Sequence, residues 1–178
     1  IQEKLKSAQA MKGALSAILA NTRTWEFPPN RPRRFDEIFA PAKNASGHFY
    51  IRDPFILSGD RNRRQLIAFL QEMARQQVTI NHLVITWREG DPTRMDYQTP
   101  TDQKHATVAL LEAAQLGSMS VEFDVQAYRE RLHFHDRQLR GRIENEDGEY
   151  KTLLWDVSSG IDNLMDVSKE AKVYLRSI

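Results

Sequence analysis

His135-Asp136-Arg137, followed after a hairpin by Trp155-Asp156-Val157-Ser158-Ser159-Gly160-Ile161-Asp162-Asn163, is the part of this chain that decides its fold. Side chains two apart on an extended segment share a face, so His135 and Arg137 are expected on one side of the backbone. An imidazole beside a guanidinium suits a phosphate group: one is a nucleophile or proton carrier, the other a planar cation that grips two oxygens at once. The loop from Ser159 to Asn163 can add hydroxyl, amide and carboxylate groups to the same pocket. His135, Arg137, Ser159, Asp162 and Asn163 are therefore candidate phosphate-binding residues. His135 and Arg137 are the catalytic pair if the protein turns a substrate over.

Outward from these residues the pattern is that of a sheet. Residues 138–144 and 150–157 read as two strands joined around Asn145-Glu146-Asp147-Gly148, because Asp-Gly is a strong hairpin turn. Ahead of them, Leu132 and Phe134 alternate with His133 and His135; behind them, Val173 and Leu175 mark a last strand within Ala171 to Ile178. Met119, Val121, Phe123 and Val125 alternate with Ser120, Glu122 and Asp124, which predicts a strand with one polar face. His82-Leu83-Val84-Ile85-Thr86-Trp87 is a near-continuous apolar run, as expected of a strand covered on both faces. His48-Phe49-Tyr50-Ile51 suits a further strand, ended by Asp53-Pro54.

Two helices lie between these strands. Asp60 is expected to cap the first, which runs to about Gln77 with Leu66, Phe69, Leu70 and Met73 as its buried stripe. The second is expected from Thr101 or Asp102 to Gly117, a suitable residue for a helix end. The order β-α-β-α-β, then a hairpin and a final strand, predicts an α/β fold with a mixed sheet covered by helices. Trp87 and Trp155 fall in its core.

The first 47 residues differ in character. Residues 1–21 are rich in Ala, Leu, Lys and Gln, with Leu5, Ala8, Leu15, Ile18 and Leu19 near helical spacing, which predicts an amphipathic N-terminal helix. Its polar face lacks the dense basic and aromatic anchors of an interfacial membrane helix, so an interdomain or oligomer helix is expected. Residues 22–47 carry Pro28, Pro29, Pro32 and Pro41 and read as an extended linker or arm, with Trp25 as a contact for a partner or for the domain's own surface. The domain proper is expected over residues 48–178. Ile1 is an unusual first residue, so an upstream region of a larger protein is expected.

With 178 residues, 40% hydrophobic and 28% charged, the chain has the composition of one globular domain with an appended segment. It contains no cysteine, which excludes disulfides and zinc–thiolate sites and is compatible with the cytoplasm, the location expected here. No stretch approaches the ~20 apolar residues of a membrane span, so any membrane contact is expected to be peripheral. The net charge of +1 conceals arginine clusters at Arg31/Arg33/Arg34, Arg52/Arg61/Arg63/Arg64 and Arg137/Arg140/Arg142. Such clusters can contact phosphate or can be solvated faces.

The order of elements, together with Ile51-Arg52-Asp53-Pro54-Phe55-Ile56, Arg63-Arg64-Gln65-Leu66 with Phe69 following, His135-Asp136-Arg137, the Trp155 strand and Gly160-Ile161-Asp162, resembles one half of a phospholipase D-like fold. More narrowly, residues 48–178 resemble the C-terminal phospholipase D-like domain of MIT (microtubule-interacting and transport) domain proteins and its bacterial relatives. The resemblance implies that His135 takes the nucleophile position and Arg137 that of a lysine, with Ser159 and Asn163 at the positions of a Gly-Ser-x-x-Asn-like loop. Where the superfamily carries an acid beyond the lysine, this chain has Arg142. The likeness further implies a homodimer that recognises an anionic phosphate ligand, lipid headgroup or nucleic acid, with weak or no catalysis. For the bacterial relatives it implies a module coupled to an ATPase in a defence-type system.

Three functions follow as expectations: a phosphate-binding dimerising module, an active phosphodiesterase with His135 as nucleophile, and a structural dimerisation module. Asp53 with Arg63 and Arg64 is expected either to form a second polar wall of the site, on the loop after a strand, or to close that loop through an Asp53–Arg63 or Asp53–Arg64 pair. His133 is assigned to packing. A His133/His135/Asp136 metal site is conceivable because His-x-His can chelate, but nothing completes that pair at a recognisable ligand spacing, so neither metal nor cofactor is expected.

Overall fold

The computed structural model describes residues 2–20, 22–129 and 137–178. Seven strands form one mixed sheet in the order β1-β7-β6-β5-β2-β3-β4. They are β1 (Thr22–Phe27), β2 (Ser46–Arg52), β3 (Thr79–Arg88), β4 (Ser120–Gln126), β5 (Gln138–Glu144), β6 (Tyr150–Val157) and β7 (Ala171–Ser177). Five helices are present among the described residues: α1 (Gln2–Ala20), α2 (Phe35–Ile38), α3 (Asp60–Arg75), α4 (Pro100–Ala113) and α5 (Ile161–Met165), with a 3₁₀ turn at Ala40–Ala42. The fold is α/β with a helix at its N-terminus.

The predicted linker is part of this fold. Thr22–Phe27 is an edge strand antiparallel to β7, with Trp25 opposite Val173 and Phe27 opposite Ala171. Trp25 is buried, and its indole Nε1 donates to Glu37 Oε2 at 3.2 Å, so this ring serves the domain's own interior. Arg33 ties the same segment down by donating to the backbone carbonyls of Leu164, Asn163, Asp166 and Lys169. The prolines therefore shape a packed arm. Residues 22–27 are thus paired into the same sheet as residues 48–178.

In α1 the described side chains, residues 2–14, are exposed, Leu5 and Met11 among them, so no buried stripe is present over that part of the helix. The core stripe of α3 matches its periodicity, with Leu66, Phe69, Leu70 and Met73 all buried. Its start differs from expectation: the N-cap is Gly59, and Asp60 lies in the first turn, pairing with Arg64. The second helix starts at Pro100 because Thr99 caps it, its side chain accepting from Asp102 N at 3.1 Å. It ends at Ala113, short of Gly117. Gln115 takes the left-handed conformation there (φ 60°), and Leu116 N donates to Leu111 O while Gln115 N donates to Glu112 O, the paired bonds of a Schellman end.

The helices cover one face of the sheet. Strands β2, β3 and β4 are parallel and lie in sequence order, so their crossovers through α3 and α4 step the same way across the sheet. Right-handed crossovers that step the same way place both helices on the same side. The rest of the sheet grows by antiparallel pairing through β5, β6, β7 and β1. On the covered side Phe49, Ile51, Leu83, Ile85, Trp87, Leu139, Ile143 and Trp155 pack with α3, Ile38 and Phe39 into one core. Gly141 belongs to this side because a Cβ there would lie 2.7 Å from the ring of Phe49. The other side carries Tyr50, Val84, Arg140, Arg142 and Tyr174, exposed or half-buried. The apolar run of β3 is thus buried on alternate residues, which corrects the expectation of a strand covered on both faces.

Candidate functional site

The carboxyl ends of β2, β3 and β4 open at one edge of the sheet, and the loops after β2 and β3 meet there. Open α/β sheets bind ligands outside such strand ends. Because β5 runs antiparallel to β2 with Gln138 opposite Arg52, and Gln138 also pairs with Asp156, the start of β5 and the end of β6 reach the same edge. This register brings Arg137 beside both Asp53 and the loop after β6.

Arg137 sits at the centre of the resulting cluster, about a quarter exposed. Its Nη1 donates to Ser159 O at 2.6 Å. Its Nε is 3.9 Å from Asp53 Oδ1, and its Nη1 is 3.9 Å from Asp162 Oδ1. The guanidinium lies over the Phe55 ring at 5.0 Å from the centroid, and Arg88 lies over the same ring at 5.3 Å. Asp162 is shared: Arg61, in the first turn of α3, approaches it to 3.7 Å and also binds Asp166 at 2.6 Å. Two guanidiniums thus converge on one carboxylate. Ser159 adds a buried hydroxyl that has no hydrogen-bond partner among the described residues.

Gly160 permits this arrangement. Its φ of 88° and ψ of 158° fall in a region that is essentially restricted to glycine. A Cβ at this position would run into Arg137 Nη1 and Asp162 Oδ1.

Asp53 is 2% exposed and accepts a hydrogen bond from Phe55 N at 2.9 Å. Burial pushes its carboxyl above the usual range, while the Phe55 N–H and the charge of Arg137 pull the other way. The folded state therefore binds this proton more tightly than the unfolded chain does. The stability so contributed is complete below the unfolded pKa and is lost as pH rises through the raised value. Asp53→Asn preserves an acceptor for Phe55 N and removes the titration. The stability of the natural chain minus that of Asp53→Asn is expected to fall as pH rises above the usual carboxylate range, as read from urea denaturation. A constant or rising difference would contradict the assignment.

The other predicted residues are placed differently. Asp53 pairs with neither Arg63 nor Arg64. Arg63 is buried and donates through Nη1 to Leu57 O and Gln98 Oε1, both at 3.0 Å, while Arg64 pairs with Asp60 on the exposed side of α3. Neither is among the groups around Arg137, so they form no second wall there. Asn163 offers its backbone carbonyl to Arg33. His133, His135 and Asp136 lie outside the described residues, which resume at Arg137. In the sequence Arg61 stands in an arginine cluster and Phe55 in a short motif, but nothing there joins either of them, or Asp166, to Arg137. No local pattern links them, since Arg61 and Asp166 are 105 residues apart.

Phe55 also forms a wall of a neighbouring cleft of about 590 Å³ lined by Arg88, Glu89, Asp91, Tyr97 and Tyr128. Its polar groups largely satisfy one another: Tyr97 donates to Glu89 at 2.5 Å and Tyr128 to Asp91 at 3.1 Å. The described helices include none long and apolar enough to cross a membrane. No family model and no curated protein matches this chain.

Proposed function

We propose that this chain is a phosphate-binding module of phospholipase D-like type, working as a symmetric pair within a larger protein. The observation that carries the proposal is the convergence of Arg61 and Arg137 on Asp162. A phosphate oxygen seated where that carboxylate lies would meet the same two cations, with the orphan hydroxyl of Ser159 close by. The sequence order supports it further, because His135 and Asp136 directly precede Arg137 in the chain. Asp162 then acts as an internal competitor that ligand must displace. A half-fold of this kind completes its site by pairing with a second copy, which is the reason for the proposed dimer.

The test uses dimethyl phosphate, a soluble diester with neither lipid tail nor base, titrated calorimetrically into the full chain. Arg137→Ala is expected to weaken binding roughly 10- to 100-fold, the loss of about 1.5–3 kcal/mol of charge-assisted hydrogen bonding. Asp162→Asn is expected to tighten it about 5-fold, since a partly exposed ion pair is worth about 1 kcal/mol. Equal affinity in all three proteins would refute the site. Anionic liposomes and oligonucleotides in parallel titrations identify the source of the phosphate, and sedimentation at tens of micromolar tests the pair.

Turnover is a second reading, favoured by one observation: Asp53, whose carboxyl burial pushes above the usual range, stands 3.9 Å from Arg137, the place of a group that supplies a proton to a leaving oxygen. Diester hydrolysis abolished by His135→Ala would establish it; background rates in both proteins would leave binding as the function.

A further inference from the structure

We propose that the sheet face left bare by the helices is a binding surface for single-stranded nucleic acid, separate from the Arg137 cluster and independent of its function. Parallel strands normally have both faces covered, yet among the described residues β2, β3 and β4 are covered on one side. The register defines what the bare side displays. One row runs Glu122, Val84, Tyr50, Arg140, Leu154 and Arg176 across six strands. The next row places Arg142 opposite His48, which is opposite His82.

Tyr50 lies near the middle of this face and is 42% exposed. Arg140 is its direct neighbour on β5, roughly 5 Å away by strand spacing, and Arg142 is two residues further along the same strand. Arg140, Arg142 and Arg176 are all exposed, and none has a carboxylate within 4 Å among the described residues. Leu154, between Arg140 and Arg176, is 7% exposed although it stands outside the core cluster. The imidazoles of His48 and His82 meet edge to face at 5.5 Å at one end of the patch. Of the acids on this face, Glu122 and Asp124 lie on the edge strand β4, Glu26 pairs with Lys172 at the other edge, and Glu144 and Asp156 stand at opposite ends of the β5–β6 hairpin.

An exposed aromatic ring set among cations on an open sheet is what an unpaired strand requires: a platform for a base and charges for the backbone. A duplex would leave Tyr50 unused, because its bases are already stacked. An anionic membrane would find no cluster of exposed apolar side chains here to insert. A second copy centred on β5 would set Arg140 and Arg142 against themselves.

The experiment measures anisotropy of a labelled oligo(dT) 20-mer with the full chain at two salt concentrations. Tyr50→Ala is expected to weaken binding about 5- to 100-fold and Tyr50→Phe to retain it, which separates stacking from loss of fold. Each of Arg140→Ala and Arg142→Ala should lower the slope of log affinity against log salt by about 0.7. In an Arg137→Ala background the loss of oligo(dT) affinity on Tyr50→Ala should persist in full, which separates this face from the dimethyl phosphate site. Wild-type affinity in Tyr50→Ala would overturn the proposal. So would binding of anionic liposomes but not of oligo(dT), or dissociation of a dimer by Arg140→Ala.

Discussion

Trp155→Ala is expected to destabilise the protein by about 3–5 kcal/mol, the largest effect of any single change considered. The ring is 1% exposed and packs against Phe39 with centroids 5.8 Å apart. Its Nε1 donates to Ile38 O at 2.9 Å, joining the sheet to the arm that precedes it. Truncation would leave a cavity and a buried carbonyl with one partner fewer. Against a total stability of about 5–15 kcal/mol, this brings the fold near its limit. Trp155→Phe retains most of the packing and should cost less, about 1–3 kcal/mol, from the orphaned carbonyl. Urea denaturation at 25 °C reads both. A loss under 1 kcal/mol for Trp155→Ala would mean that the arm is not bound to the sheet as described.

Gly160→Ala is expected to damage stability and binding together. Any other residue at φ 88° and ψ 158° pays about 1–3 kcal/mol of backbone strain. The added methyl would also occupy the space of Arg137 Nη1 and Asp162 Oδ1, forcing the guanidinium away from Ser159 O. Affinity for dimethyl phosphate should therefore fall at least 10-fold, whereas Ser158→Ala, two residues earlier and exposed, should change neither property. A stable Gly160→Ala protein with unchanged affinity would place the ligand elsewhere.

The hairpin of β5 and β6 was fully legible in the sequence, because the alternation of β5 and an Asp-Gly turn are local signals; Gly148 takes φ 78° in that turn. The first strand was not. Thr22–Phe27 has Trp25 and Phe27 at the right period, but the prolines that follow suggest a linker, and its partner β7 lies at the other end of the chain. The bare sheet face was hidden for a related reason. Val84 makes β3 look apolar throughout, and only strand order shows that α3 and α4 share a side. Within the site, Arg137, Asp162 and Ser159 could be named from one short stretch and its spacing. The role of Asp53 depended on which arginine reached it. Arg137 is 84 residues away, and pairing of β5 with β2 brings the two together. Burial of Arg63 did leave a trace: it stands three and seven residues before Leu66 and Leu70, on the helix face that enters the core.

The most direct test of the phosphate site follows the arginine side-chain Nε resonances of the full ¹⁵N-labelled chain during titration with dimethyl phosphate. The Arg137 and Arg61 signals should move together and saturate at one affinity, while the buried Arg63 signal stays in place. Movement of other arginine signals with Arg137 and Arg61 unmoved would contradict the account.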